Sequence, residues 1–460
     1  MRVRIAAILA GLVLAPIAAA RGQEIVEFPL PASGEAVTVA SGLALGPDGN
    51  VWFSQNILGY AMHSWIAVGD GLASITDAGV TTAHPCGAYE GIIDTAVGGP
   101  AATPDGNLWI TEDGPGAAES VVFHGVGPCL AGAVSGATLP SYGTSLIAGP
   151  DGNLWLILPL ATPPLIARSA TTGILTTFAL PAGTTPNSLA AGPDGNIWFT
   201  DFTNRKVGRM TMAGSVTLFD LVTPNAAPGA ITAGPDGKLW FVESNVNQIG
   251  RITTTGSVTE FLIPTPASQP AGIAVGADGA LWFTEWVGKI GRITTAGVFS
   301  EIRVPYANAS PDLIIGKPDG TIWFTDVRPP GIGANRIGRL SPSAGCIPNP
   351  QTLCLNIGAF SVTASFQTTP EGPSAPANAV ALTGSTGYFW FFDPANVEMI
   401  VKVLDGCEVN GHYWVFAGRM TNVGVEWKVT DTRSSTTNSY SNPAGTPFQP
   451  VQDTAAFPCP

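Results

Sequence analysis

The sequence predicts an all-β protein: a seven-bladed β-propeller closed by an N-terminal strand, followed by a small C-terminal antiparallel β-sandwich. Three observations predict it. First, the phrase GPDGNVWFSQ at 46–55 returns as GPDGNIWFTD at 192–201, and related phrases make seven copies in all, each with Asp four residues before Trp. The pairs are Asp48/Trp52, Asp105/Trp109, Asp151/Trp155, Asp194/Trp198, Asp236/Trp240, Asp278/Trp282 and Asp319/Trp323. Second, the last five tryptophans stand 43, 42, 42 and 41 residues apart, the length of a four-stranded propeller blade. Third, the seventh copy lacks its outer strand, while a strand of the missing type, EIVEFPLP, stands alone at 24–31.

From the N-terminus, MRVR followed by the apolar run IAAILAGLVLAPIAAA has the make-up of a signal peptide, residues 1–20. No later stretch is apolar for long enough to span a bilayer. The propeller is expected over 24–343. Within a blade, an apolar strand such as AITAG (230–234) meets Pro-Asp-Gly, where proline presets φ and glycine accepts a left-handed conformation. A second strand, LWFVE, returns antiparallel, and QIGRI (248–252) and SVTEFLIP (257–264) complete the sheet. Strand alternation puts Trp240 on one face, where it would fill the space between blades. Burying one indole removes roughly 200 Å² from water, about 5 kcal/mol before entropy. EIVEFPLP is expected to supply the outer strand of blade seven, so that the ring has no open edge.

Residues 344–356 read as a linker. From 357 to 460 the pattern changes to short alternating segments such as AFSVTASF, TGYFWFF and GVEWKVTDT with frequent turn signals, which suits a sandwich. Six cysteines in an exported chain suggest disulfides, and spacing suggests Cys86–Cys129, Cys346–Cys354 and Cys407–Cys459 among 15 possible connectivities. The formal charge is −13, and the basic residues are scattered singly, which excludes the basic patch a nucleic-acid partner needs. A secreted or cell-surface monomer is expected, with no membrane span once the leader is removed.

The phrase GADGALWFTEWVGKIGRI (276–293) resembles the repeat of the streptogramin B lyases, the virginiamycin B lyase-like propellers, and the resemblance covers roughly 24–343. The resemblance implies a seven-bladed propeller that opens cyclic depsipeptides by an elimination assisted by magnesium. Its working groups belong on one rim, where the start of the innermost strand meets the end of the second. At the places where the family has a tyrosine and two histidines, this chain has Ser41, Ala271 and Asp312. A family glutamate corresponds to Ser310, and only the acid closing the second strand of blade seven is kept in kind, as Asp326. Alanine and serine cannot serve as the base that an elimination requires. The C-terminal segments DGCEVNGHYWVFAG and NPAGTPFQPVQDTAAF resemble a module at the ends of exported bacterial proteins.

The residues closing the second strands are Gln55, Glu112, Leu158, Asp201, Glu243, Glu285 and Asp326. Five carboxylates on one rim would attract a cation, a shared proton or a polar ligand. The candidate ligand-binding set is Ser41, Glu112, Asp201, Glu243 and Ser310. Asp312 and Asp326, expected to face each other, are the candidate Mg²⁺ or Ca²⁺ ligands, and with Glu285 they are the candidate catalytic acids. In the structural alternative these acids pair with Arg209, Arg251, Arg292 and Arg339 or cap nearby backbone. The Pro-Asp-Gly aspartates read as turn formers on the opposite rim, and the arginines as braces between blades. Three functions follow: a propeller binding a small molecule, peptide or glycan; a divergent lyase or hydrolase acting on cyclic esters or lactones with a divalent cation; or a structural surface protein.

Overall fold

The computed structural model describes residues 24–459 except 31–36, 62–63, 85–97, 105, 114–119, 125–137, 140–142, 171–173, 328–334, 342–345, 347–348, 357, 420, 433 and 448. The leader and the cysteines Cys86 and Cys129 lie outside the described residues. Seven four-stranded antiparallel sheets account for the first part of the chain. Blade five is representative, with strands Pro228–Ala233, Leu239–Glu243, Gln248–Ile252 and Val258–Leu262. The innermost strands touch in succession from blade one to blade seven, and blade seven touches blade one again.

Closure follows the sequence expectation. Glu24–Pro29 pairs antiparallel with Arg336–Ser341, running from Glu24 opposite Ser341 to Pro29 opposite Arg336, and completes the sheet of Ile322–Asp326 and Pro311–Gly316. Blade one departs from the repeat. Its second and third strands, Val51–Ala61 and Ser64–Ile75, extend as a long hairpin to the pair Ala61 and Ser64.

Each repeat tryptophan is packed against the next blade. Trp52 meets Leu108 and Ile110, Trp109 meets Leu154 and Leu156, and Trp155 meets Ile197 and Phe199. Trp198 meets Leu239 and Phe241, Trp240 meets Leu281 and Phe283, and Trp282 meets Ile322 and Phe324. Trp323 returns to Val51 and Phe53 of blade one.

The aspartate four residues earlier has a second task beyond the turn. The indole N–H donates to it at 2.9 Å in Trp52/Asp48, 3.0 Å in Trp240/Asp236 and 3.1 Å in Trp282/Asp278. Where the turn differs, Trp109 donates to Thr103 and Trp323 to Thr321. Burial works against ionisation of Asp48, Asp151 and Asp194, but hydrogen bonds from tryptophan and asparagine outweigh it and hold each below the usual aspartate range.

The glycine of the Ile-Gly-Arg phrase has a steric reason. Gly250 stands opposite Phe241, and a Cβ there would lie 2.2 Å from the ring. Gly208, Gly291 and Gly338 receive Phe199, Phe283 and Phe324 in the same way. The adjoining arginine lies over the tryptophan, as Arg251 does at 5.3 Å from the Trp240 centroid. It then donates to a carbonyl of the following blade: Arg209 to Thr254, Arg251 to Thr295 and Arg339 to Asp77. The arginines are braces, and their ion pairs go to turn aspartates, as in Arg292–Asp278 at 2.7 Å, rather than to the acids closing the second strands.

The C-terminal part is a sandwich of two five-stranded sheets. Phe360, Val362, Trp427 and Val429 of one sheet pack against Phe389, Val401, Val415 and Phe457 of the other. The expected linker contributes an element: Thr352–Leu355 pairs with Phe360–Gln367 as an edge strand, because Leu353 and Leu355 alternate into the core. Cys346–Cys354 fastens that strand, and Cys407–Cys459 ties the last strand to the turn before His412. Of the aromatics at 388–392, Phe389 and Phe391 are core residues while Phe392 is exposed. Gly384 meets blade six, donating to Phe299 O at 3.1 Å, and a cavity of about 600 Å³ lies beside this contact.

Removing residues 24–29 exposes the strand Arg336–Ser341. The truncated protein is expected to melt at a lower temperature and to self-associate, as read by differential scanning calorimetry and size-exclusion chromatography. Trp240→Ala is expected to cost about 3–5 kcal/mol in denaturant unfolding.

Candidate functional site

One mouth of the propeller is built by a repeated irregularity. In all seven blades the pairing of the innermost strand with the second strand shifts register near its start, as between Pro270 and Ile273 or Pro311 and Ile314. Eleven residues before each repeat tryptophan stand Ser41, Gly98, Thr144, Asn187, Gly229, Ala271 and Asp312. Ser41, Asn187, Gly229, Ala271 and Asp312 lie within the register shift of their blades, and Gly98 and Thr144 stand paired directly before it, so the seven ring the propeller axis.

Threonines fix the bulges. Thr284 Oγ1 accepts from Gly272 N at 2.8 Å and donates to Asp312 O of the next blade at 2.5 Å. Thr200 donates to Gly229 O at 2.8 Å, and Thr325 accepts from Leu313 N at 2.9 Å. The hydroxyl in Trp-Phe-Thr-acid therefore satisfies the backbone groups that the bulge unpairs.

Asp312 is half-buried. Its Oδ1 accepts from Trp286 Nε1 at 3.2 Å. Burial pushes its carboxyl above the usual aspartate range, opposed by that hydrogen bond. Trp286 is 50% exposed, leaving a ring surface open beside the one acid of the mouth. Trp286 was not among the residues singled out from the sequence. The available signal was a tryptophan directly after the acid of blade six, outside the repeat register.

The acids closing the second strands do not form an open ring. Asp201, Glu243, Glu285 and Asp326 are each 0% exposed. Asp201 Oδ1 accepts from Thr185 N and Oγ1 and from Asn204, so it caps its own rim loop. Asp326 Oδ1 accepts from Ser310 N at 2.5 Å, which is the role found for Ser310. The expected pairing of Asp312 with Asp326 is not met in register: Pro311 stands opposite Asp326, and Asp312 lies in the bulge, turned to Trp286. Ser41 and Glu112 lie on strands Val37–Leu45 and Leu108–Asp113, and their side chains lie outside the described residues.

Glu243 sits over Gly250, and neither it nor Glu285 has a carboxyl hydrogen-bond partner of good geometry. Burial, reinforced by Glu260, pushes Glu243 up to about 8. Burial, reinforced by Glu301 and opposed by Lys289, pushes Glu285 up to about 8. Among the described histidines, His84 is stacked on Trp52 and bonded to Ser74, and His412 meets Asn410 O. Neither belongs to the mouth.

A resident metal at Asp312 and Asp326 is not favoured, because the two carboxyls do not face each other: Asp326 is turned to Ser310 N and Asp312 to Trp286 of the neighbouring blade. Among the described residues, the one group of three His, Cys, Asp or Glu with converging donor atoms is Asp405, Cys407 and Cys459, whose cysteines are bonded to each other.

Comparison with known proteins agrees with this architecture. Residues 92–349 match the virginiamycin B lyase family. A crystal structure of a catalytically inactive histidine-to-alanine variant of virginiamycin B lyase from Staphylococcus aureus, with quinupristin, is 30% identical, covers 69% of this chain and 99% of its own, and has a TM-score of 0.56. The selenomethionine form of that enzyme gives 30% identity, 69% and 99% coverage and a TM-score of 0.57. A streptogramin B lyase structure is 29% identical over 70% of this chain and 98% of its own, with a TM-score of 0.56. Comparison with curated protein sequences gives no match.

Holding Glu243 and Glu285 protonated makes stability fall as pH rises. Each folded carboxyl is raised from about 4.5 to about 8, so between those values the unfolded chain has lost a proton that the folded chain keeps. The slope is about 1.4 kcal/mol per pH unit per proton. Denaturant unfolding from pH 5 to 8 in EDTA is expected to show this loss, and Glu243→Gln with Glu285→Gln to flatten it.

Proposed function

The chain belongs to the virginiamycin B lyase family, and from that premise we propose an exported propeller that binds a small molecule, peptide or glycan at the mouth around Asp312 without the family's elimination chemistry. The observation that carries this reading is the content of the bulge ring. Ala271 and Asp312 occupy the bulge in blades six and seven, where the resemblance places the family's histidines. Ser310 uses its backbone on Asp326 and supplies no carboxylate. The mouth therefore retains shape, one half-buried acid, and an exposed indole, which suits a ligand with a polar edge and an apolar face.

Export is part of the proposal. It is supported by the leader-like N-terminus and by two disulfides, which persist in oxidising surroundings. No described helix is long and apolar enough to cross a membrane. A Mg²⁺ or Ca²⁺ ion at the mouth would rest on Asp312 and Asp326 alone, so no chemical step is derived through it.

One observation favours an enzymatic alternative. Asp312 is a carboxyl with a raised pKa at a mouth, the property of a general base, and a divergent lyase or hydrolase acting on lactones would use it.

Incubation with quinupristin and a panel of macrocyclic lactones, followed by mass spectrometry, separates the readings. Unaltered masses are expected, together with tryptophan fluorescence quenching by a bound panel member that is lost in Trp286→Ala and weakened about tenfold in Asp312→Ala. Turnover abolished by Asp312→Asn would establish the enzymatic alternative instead.

A further inference from the structure

Blades four to seven each close the second strand with an acid, and three of the four set a cation opposite it. Asp201 stands opposite Lys206, Glu285 opposite Lys289, and Asp326 opposite Arg336. In blade five the residue opposite Glu243 is Gln248. Blade five also carries a second acid, because Glu260 lies opposite Gly250 on the same sheet face as Glu243 and Gln248. Blade six has the same two acids, Glu285 and Glu301, but Lys289 approaches Glu301 at 3.6 Å.

The oxygens of this face have distinct states. Glu260 accepts from Val222 N at 2.9 Å, from Thr223 N at 3.1 Å and from Thr223 Oγ1 at 2.5 Å. Glu243 is fully buried, and neither of its oxygens has a partner; Gln248 Oε1 is likewise buried without one. A Cβ on Gly250 would lie 2.9 Å from Glu243 Oε1, so the glycine opens the notch into which this carboxylate is aimed. Unpaired carboxylate oxygens taken out of water cost several kcal/mol unless a cation or proton compensates them.

We infer that blade five holds a calcium ion, bound by both oxygens of Glu243, by Gln248 Oε1 and by Glu260. The donors are all oxygen, which selects a hard cation, and two carboxylates neutralise a divalent one. Bidentate carboxylates and irregular geometry suit Ca²⁺, whereas Mg²⁺ demands near-ideal octahedral geometry. This site is separate from the mouth, and it does not depend on the ligand-binding reading.

The test uses the mature protein freed of metal with EDTA and titrated with CaCl₂, followed by isothermal titration calorimetry and thermal melting. One Ca²⁺ per chain is expected, with a saturable rise in melting temperature that MgCl₂ at the same concentration does not reproduce. Glu243→Gln is expected to weaken Ca²⁺ at least tenfold. Gln248→Lys, which installs the cation of the neighbouring blades, is expected to abolish the Ca²⁺ response while melting in EDTA no lower than the parent. The paired change Asp312→Ala with Asp326→Ala is expected to leave the Ca²⁺ response intact. Absence of a Ca²⁺ shift in the parent protein, or an undiminished shift in Gln248→Lys, would overturn the inference.

Discussion

The indole of each blade, set into the face of the next, is the contact on which the rest of the molecule depends. A four-stranded sheet alone buries too little to stand in water, and its two faces must find neighbours. Seven tryptophans supply that contact in one rotational sense, and Trp323 returns it to Val51 and Phe53. The recurring residues around each indole serve this wedge. Aspartate or threonine takes its N–H, arginine covers it and reaches the following blade, and glycine clears space for the neighbouring phenylalanine. Glu24–Pro29 then covers the last edge, so the wedges act within a closed ring rather than an open stack.

A closed ring places seven bulges around one axis, and this is how a structural repeat becomes a mouth. The threonine after Trp-Phe satisfies backbone released by the bulge, sometimes across the blade boundary, as Thr284 does with Asp312. The side chain at or beside the bulge takes no part in that bonding and varies: serine, glycine, threonine, asparagine, glycine, alanine and aspartate in order. That freedom lets the residues of the mouth differ from blade to blade while the scaffold keeps its form. The lyases share the scaffold at about 30% identity.

The acids closing the second strands show the opposite behaviour. They stand beside the mouth in the chain but turn into the sheet, where Asp201 and Asp326 hold rim loops and Glu243 and Glu285 lie buried. In blades four, six and seven a basic residue stands opposite them on the third strand. Blade five differs because its cross-strand partner is neutral.

The sequence by itself determined the blade count, the strand order within a blade and the N-terminal closure, because the period and the tryptophan wedge are local patterns repeated in register. It also marked Ser41, Ala271 and Asp312 as equivalent positions, since each precedes its tryptophan by the same interval. Only the tertiary structure decided which side chains reach the mouth. The bulge shifts register by a residue, so Pro311 rather than Asp312 stands opposite Asp326. A strand-end acid can face solvent or fold back over its own sheet, and Glu243 does the latter because Gly250, two residues beyond its cross-strand partner Gln248, leaves room for it. Trp286 meets Asp312 from the neighbouring blade, a contact that no spacing along the chain encodes because only the packing of blade seven on blade six brings them together.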